Sequence, residues 1–359
     1  MKQLILTLAA VAASVTAVYG QGTGVLDRYY IDGLIYEKTS ETTVSCEGAF
    51  DDGVKKVVIP ETVNIDDKVF TVTGISEYAF SQCKTLSSIT IPKTIASISS
   101  NAFSCYNVGG EPVSSELSVY ISDLTVWCKI NFEDPYANPL SREGSKLYAN
   151  GILVTDLKIP DGITEIKPYS FYGLDSMTSL TLSNSVSTIG DCSFCECSEL
   201  ETVVIGGCVT YIGRDAFKTY FGTISNLKNI EILASIPPKY NYDTIYGNIY
   251  VPFSRDSFEN AVLSVPTGSL EAYKSADVWK EFKNIQEKDF GGVNSVKDDA
   301  VSITVNGGSI EIDGAGNASV EVYNLSGQLV YSGIETTVGG LARGIYIVRV
   351  SGRTFKVAL

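Results

Sequence analysis

The stretch LTLSNSVSTIGDCSFCECSEL, residues 180–200, decides how the chain folds. It opens on an alternating strand, Leu180-Thr181-Leu182, and sets further apolar side chains at Val186, Ile189, Phe194 and Leu200. The frame returns at Val203-Val204-Ile205 with Val209, Ile212 and Phe217. Upstream it reads Leu157-Lys158-Ile159-Pro160 with Ile163, Ile166 and Phe171, and before that Ile89-Thr90-Ile91-Pro92 with Ile95, Ile98 and Phe103. Phe80, Phe103, Phe171, Phe194 and Phe217 are spaced 23, 68, 23 and 23 apart, and 68 is one short of three periods. A unit of this size offers one strand, a turn and a second apolar segment, too little to bury a face by itself. Stacked units bury Ile, Leu and Phe in columns, so the spacing predicts a solenoid.

Strand alternation turns Ile89 and Ile91 inward and leaves Ser88 and Thr90 outward; Lys158, Thr181 and Val204 face outward by the same rule. These outward side chains are rich in hydroxyls and sparse in charge, which suits a broad, flat contact. Ser88, Thr90, Lys158 and Thr181 are therefore the candidate binding residues. The outward strand positions that the period places carry no aromatic for a sugar ring to stack on.

At these residues the sequence resembles the BspA-like leucine-rich repeats, whose consensus runs roughly L-xx-I-x-I-P-xx-V-xx-I-G-xx-A-F-xx-C-xx-L. The match is close from Leu86 to Phe103 and from Leu180 to Leu200, where Ile189-Gly190, Phe194, Cys197 and Leu200 fall in place. The segment from Asp123 to Pro160, with Trp127-Cys128 and Asn138-Pro139-Leu140, is similar to the modified repeat of these proteins and fills the gap between Phe103 and Phe171. Gly33 to Pro60 resembles their opening module, and Val265 to Ile285, with Tyr273, Trp279 and Phe282, their closing one. Glu271 to Lys283 reads as one amphipathic helix capping the array.

Both ends of the chain differ from the array. Leu4 to Val18 is an apolar stretch behind Met1-Lys2, ending in Val18-Tyr19-Gly20 before Gln21, which reads as a cleaved secretory signal. No later segment is long and apolar enough to span a bilayer. Beyond a Gly291-Gly292 break, alternating runs from Val301 to Leu359 predict an antiparallel β-sandwich of about sixty residues. Val322 to Gly327 and Leu341 to Val350 resemble the C-terminal sorting domains of type IX secretion. The expected layout is a signal peptide at 1–20, a β opening module at 21–55, the solenoid at 56–290, a linker at 291–300 and the sandwich at 301–359. The fold class is thus mainly β, a leucine-rich-repeat solenoid followed by a small sandwich.

Composition narrows the function. The 359 residues contain 41 acids and 27 bases, net −14, which argues against a nucleic-acid partner. Histidine is absent, removing Ser-His-Asp and Cys-His nucleophile systems and His-ligated zinc. Asp51-Asp52 and Asp66-Asp67 fall in polar loops and read as solvated turns. Eight cysteines in an exported chain invite disulfides, yet Cys83 and Cys197 share one repeat slot that suits a small buried thiol. Cys192, Cys195, Cys197 and Cys208 read poorly as a zinc site, because Cys192 and Cys195 flank an inward Phe and their directions should diverge. No metal or cofactor is expected. Resemblance to BspA-like proteins implies a non-enzymatic exported or cell-surface protein that adheres to host extracellular proteins or other cells. Glycan capture for nutrition and a structural spacer are the alternatives, with the periplasm as the alternative address.

Overall fold

A computed structural model describes residues 28–104, 116–220, 224–240, 244–245, 248–249, 251–290, 295–297, 301–306, 309–316, 318–324, 327–342, 344–350 and 353–359. The signal segment at 1–20, Cys105, and the Gly291-Gly292 break lie outside them. The described chain is mainly β, with a few helices of at most six residues. It divides into two compact units, Met1–Val154 with Tyr169–Leu174, and Thr155–Pro168 with Asp175–Leu359.

The first unit opens with antiparallel pairing of Arg28–Ile31, Leu34–Lys38 and Thr43–Ala49. Pairing then turns parallel: Thr43–Ala49 joins Lys68–Ile75, which joins Ser97–Ile98, which joins Asn131–Phe132. A second sheet aligns Val57, Ile89, Val119 and Leu147 on four parallel strands, all buried. The second unit repeats this device over a longer run. Leu157, Leu180, Val203, Ile230, Leu263 and Ile285 occupy matching positions on six parallel strands. A parallel ladder of two-residue strands aligns Ile166, Ile189, Ile212 and Tyr240 beside it.

The repeat phenylalanines do what their spacing predicts. Phe80 stacks on Phe103 at 5.3 Å, Phe194 on Phe217 at 5.3 Å, and Phe217 on Phe253 at 5.2 Å. Two residues before each repeat Phe the backbone is left-handed, at Tyr78, Asn101, Tyr169, Cys192 and Asp215, with φ between 49° and 60°. That turn swings the Phe N–H along the ladder: Phe80 donates to Ala102 O at 2.8 Å and Phe194 to Ala216 O at 2.9 Å. Turn amides find side-chain acceptors on the preceding coil. Asn184 Oδ1 takes Gly207 N–H and Asp191 Oδ1 takes Arg214 N–H, each across 23 residues at 2.8 Å.

The Ile-Gly step has a steric cause where it occurs. A Cβ on Gly190 would lie 2.6 Å from Pro168 N and 2.7 Å from Ile166 O, and neither backbone atom has room to retreat. Gly190→Ala is expected to cost about 1–3 kcal/mol, the range for forced overpacking, as read by urea unfolding. A shift below about 0.5 kcal/mol would mean that the coils spread freely.

The expected helix over Glu271–Lys283 is not continuous. The chain forms Leu270–Ser275, breaks at Ala276 and Val278, and resumes as a single 3-10 turn, Trp279–Glu281. Val278 sits at φ 65°, an unfavourable conformation for a β-branched residue. The break lets Trp279 and Phe282 pack on Phe253, Phe282 on Phe258 and Tyr273 on Trp279, and this burial overrides helix propensity. Tyr273 and Trp279 also donate to Ala234 O and Pro238 O, at 2.7 and 2.9 Å.

Near the C-terminus, four-stranded antiparallel sheets form from Ser295–Lys297, Ser302–Asn306, Ser309–Asp313 and Thr337–Val338, and from Leu329–Gly333, Val320–Asn324, Ile345–Val350 and Arg353–Ala358. Their inward residues, including Ile303, Ile310, Val322 and Val348, build one cluster. Ser295–Lys297 lies inside the stretch expected as a linker, where it pairs with Ser302–Asn306.

Candidate functional site

The four candidate residues fall on two sheets, one in each unit. In the first unit Ser88 aligns with Lys56 and Ser118, and Lys146 follows Ser118, so one outward row reads Lys56, Ser88, Ser118, Lys146. The parallel row reads Val58, Thr90, Tyr120, Tyr148 and Leu153. Ser88 and Thr90 are half-buried, whereas Val58 keeps 55% of its surface and the neighbouring Ile152 keeps 74%. Outward orientation follows from alternation, since Val57, Ile89, Val119 and Leu147 are buried between these positions.

Tyr120 and Tyr148 stack at 4.8 Å with 14° between their planes. Outward strand positions beyond those the period places therefore do carry aromatics. The period could not place these tyrosines, because residues 105–115 and the modified repeat interrupt the 23-residue count. Each ring covers one face of the other, so the row offers ring edges, hydroxyls and the outer faces of the pair.

In the second unit Thr181 stands between Lys158 and Val204, and the row continues through Glu231, Ser264 and Gln286. Charges here are already matched. Lys158 Nζ lies 2.9 Å from Asp156, which also accepts from Ser179 Oγ at 2.6 Å. The Ser179 hydroxyl, and after it Lys158, hold the Asp156 carboxyl below its ordinary range. Lys228 pairs with Glu201 and Lys288 with Glu231, each at 2.5 Å. A ligand that engages Lys158 must compete with an ion pair; one on Thr90 and the tyrosines need not.

A separate cleft of about 400 Å³ opens on the first unit's larger sheet. Its floor follows one register row, Glu37, Ser45, Gly74 and Ser97, with Glu47 and Ser76 beside it. Ser45 and Ser76 share a 2.6 Å hydrogen bond, and Ser76 donates to Glu47.

The remaining candidate chemistry sits mostly indoors. Asp51, Asp52, Asp66 and Asp67 lie exposed in turns or loops. Cys46, Cys83 and Cys128 are buried free thiols, pushed by burial up to about 12, 11 and 12, so they do not ionise at neutral pH. Cys192 and Cys195 are buried free thiols as well, and the Cys195 S–H donates to Asp215 O at 2.7 Å. Among the described residues no group of three or more cysteine or carboxylate side chains is arranged to hold a metal ion. No helix among them is long and apolar enough to cross a membrane.

A family model described as the BspA-type leucine-rich repeat region matches residues 54–117 and 143–263 in six copies, more than half of the chain. The chain belongs to this family. The matched residues include all four candidate residues, whereas Ser118, Tyr120, Ser264 and Gln286 of the outward rows lie outside them. Solved structures similar to the chain include a leucine-rich cell surface protein from Faecalibacterium prausnitzii, 15% identical over 75% of this chain and 96% of that one, TM-score 0.27. A leucine-rich repeat protein of T. pallidum is 17% identical over 69% of this chain and 90% of its own, TM-score 0.31. The pneumococcal vaccine antigen PcpA is 15% identical over 74% of this chain and 100% of its own, TM-score 0.22. A search of the curated proteins finds no match.

Proposed function

We propose that this chain is a non-enzymatic surface protein that binds a protein partner on host or bacterial cells through outward strand faces of a BspA-type solenoid. The observation that carries this reading is the aligned row Val58, Thr90, Tyr120 and Tyr148, with Ser88 and Ser118 beside it. It combines aromatic and β-branched contact surface with short hydroxyls, and tyrosine is enriched where protein interfaces concentrate their affinity. The layout we attach to this function keeps a signal at 1–20, an opening module at 21–55, the solenoid at 56–290, a linker at 291–300 and a sorting-type β-sandwich at 301–359. That layout sends the protein to the cell surface or the medium, with the periplasm as the alternative. Absence of histidine and the matched charges around Lys158 support binding over catalysis.

The test is surface binding of residues 21–359 to immobilised matrix proteins, mucin and purified polysaccharides, with Thr90→Arg and Thr181→Arg compared. Saturable binding to a protein, weakened about tenfold or more by Thr90→Arg, is the expected result. Binding to no protein, or equal binding by both variants and the parent, overturns the assignment to Thr90 and Thr181.

Glycan capture is the second reading, and the Tyr120–Tyr148 pair favours it because sugar rings stack on aromatic faces. A response to one polysaccharide alone, lost in Tyr148→Ala, would move the chain to that class.

A further inference from the structure

Tyr120 and Tyr148 stand opposite each other on adjacent parallel strands, Ser118–Ile121 and Lys146–Ala149. Their ring centroids are 4.8 Å apart and the planes meet at only 14°. At that separation the faces are in contact, carbon against carbon. Paired strands lie about 4.8 Å apart, so the backbone already holds the two side chains at stacking distance. Alternation buries Val119, Ile121 and Leu147 and leaves both phenols half-buried on the outer face.

Their surroundings leave the pair open to oxidation. Thr90 borders Tyr120 and Leu153 borders Tyr148 in the same row, and neither side chain gives up electrons readily. Groups that do, Cys46, Cys83, Trp127 and Cys128, are buried, and the Trp127 indole donates inward to Ser170 O at 2.8 Å. A phenol that loses one electron and its proton becomes a phenoxyl radical, with spin on the two ring carbons ortho to the oxygen. Two such radicals couple through these carbons when their faces overlap. Stacking supplies the overlap before oxidation begins, which removes the cost of bringing two short-lived radicals together.

We propose that Tyr120 and Tyr148 are an oxidative cross-linking site, joined as dityrosine by hydrogen peroxide acting through a one-electron peroxidase. Each phenol gives up one electron and one proton to the oxidant. One C–C bond forms between the two ortho carbons, and the hydrogen that each carbon carried moves to its own phenolic oxygen as the rings become aromatic again. The two electrons and two protons reduce one H2O2 to two H2O, so the protein loses two hydrogens and keeps both hydroxyls. The bond ties together strands whose tyrosines are 28 residues apart in sequence, with most of the modified repeat between them. It lies on the outer face and leaves the inward columns untouched. This chemistry needs no binding partner and holds whether or not the row is a docking surface.

The test treats dilute residues 21–359 with a haem peroxidase and hydrogen peroxide, follows dityrosine fluorescence, and maps the product by digestion and mass spectrometry. The expected product is a monomer two hydrogens lighter, with the peptides of Tyr120 and Tyr148 joined. Tyr120→Phe and Tyr148→Phe keep a ring to stack but no hydroxyl to oxidise, and each should lose this product. Tyr30→Phe removes a more exposed tyrosine, whose ring meets Phe50, and should leave the yield unchanged. Oxidising the parent after unfolding in urea should lower the yield of the joined peptides about tenfold or more, because the stack no longer holds the rings together. Circular dichroism of each variant, matched to the parent, keeps the comparison among folded proteins. Absence of dityrosine overturns the proposal, and so does dityrosine mapped mainly to other tyrosines, cross-linked dimers in place of the monomer, or an equal yield from the unfolded chain.

Discussion

Replacing Phe253 with alanine is expected to lower the unfolding free energy of the second unit's repeats by about 3–5 kcal/mol, the range for deleting a buried aromatic ring. The ring is fully buried and ends the Phe194–Phe217–Phe253 stack. Phe258, Trp279 and Phe282 meet it edge-on at 6.1, 5.8 and 5.4 Å. Such pairs add about 0.5–1.5 kcal/mol each beyond buried area. The cavity left by alanine collapses poorly, because Trp279 is tethered through its indole N–H to Pro238 O. Phe253→Leu keeps most of the volume and should cost under about 2 kcal/mol. The measurement is urea unfolding followed by tryptophan fluorescence. The chain has two tryptophans, Trp127 in the first unit and Trp279 in the second, so a Trp127→Phe background reports the second unit alone. A loss below about 1 kcal/mol for Phe253→Ala would show that the stack is not what holds this end together.

Arg142→Met is expected to cost the first unit about 2–4 kcal/mol, because it strips donors from buried carbonyls. Arg142 is 1% exposed, and its guanidinium donates to Phe80 O at 2.9 Å, Phe103 O at 3.4 Å and Cys83 O at 3.5 Å. One side chain therefore ties the turns behind two stacked phenylalanines to the modified repeat. Methionine fills similar space but offers no hydrogen, so Phe103 O loses this donor, Phe80 O and Cys83 O keep only the Cys83 and Leu86 backbone N–H groups, and one buried charge is relieved. Lysine restores the charge without the planar fork and should recover less than half of the loss. Trp127, buried and bonded to Ser170 O at 2.8 Å, supplies the fluorescence signal. Equal midpoints for the Arg142→Met, Arg142→Lys and parent proteins would overturn this assignment.

What the sequence revealed about these elements follows from how each is encoded. The inward columns at Leu157, Leu180 and Val203, and the Phe stack, repeat one residue type at one spacing, so counting finds them. Arg142 belongs to the modified repeat, where no period runs, and its charge argues for the surface until the carbonyls around it are seen. The left-handed positions at Tyr78, Asn101, Tyr169, Cys192 and Asp215 share a conformation but no residue type. Glycine, the usual marker of that conformation, is missing from all of them; only Asn101 and Asp215 hint at it. The candidate rows were half legible. Thr90 and Thr181 could be placed by alternation, whereas Tyr120 and Tyr148 needed the register of strands on either side of an interruption.

Side-chain acceptors that each serve the amide one coil further on have a bearing on how such a chain changes length. Asn184 serves Gly207, Asp191 serves Arg214 and Asp175 serves Ser198, always across 23 residues. Removing or duplicating one such length by recombination returns an equivalent acceptor to every amide and an equivalent apolar side chain to every column. A change of one or two residues inside one of these coils moves its acceptor away from the amide it serves, whereas the strands at Val203, Ile230, Leu263 and Ile285 stay in register at spacings of 27, 33 and 22 residues. Selection can therefore lengthen or shorten the reach of this protein in whole coils, while the sequence within each coil stays tied to its neighbour.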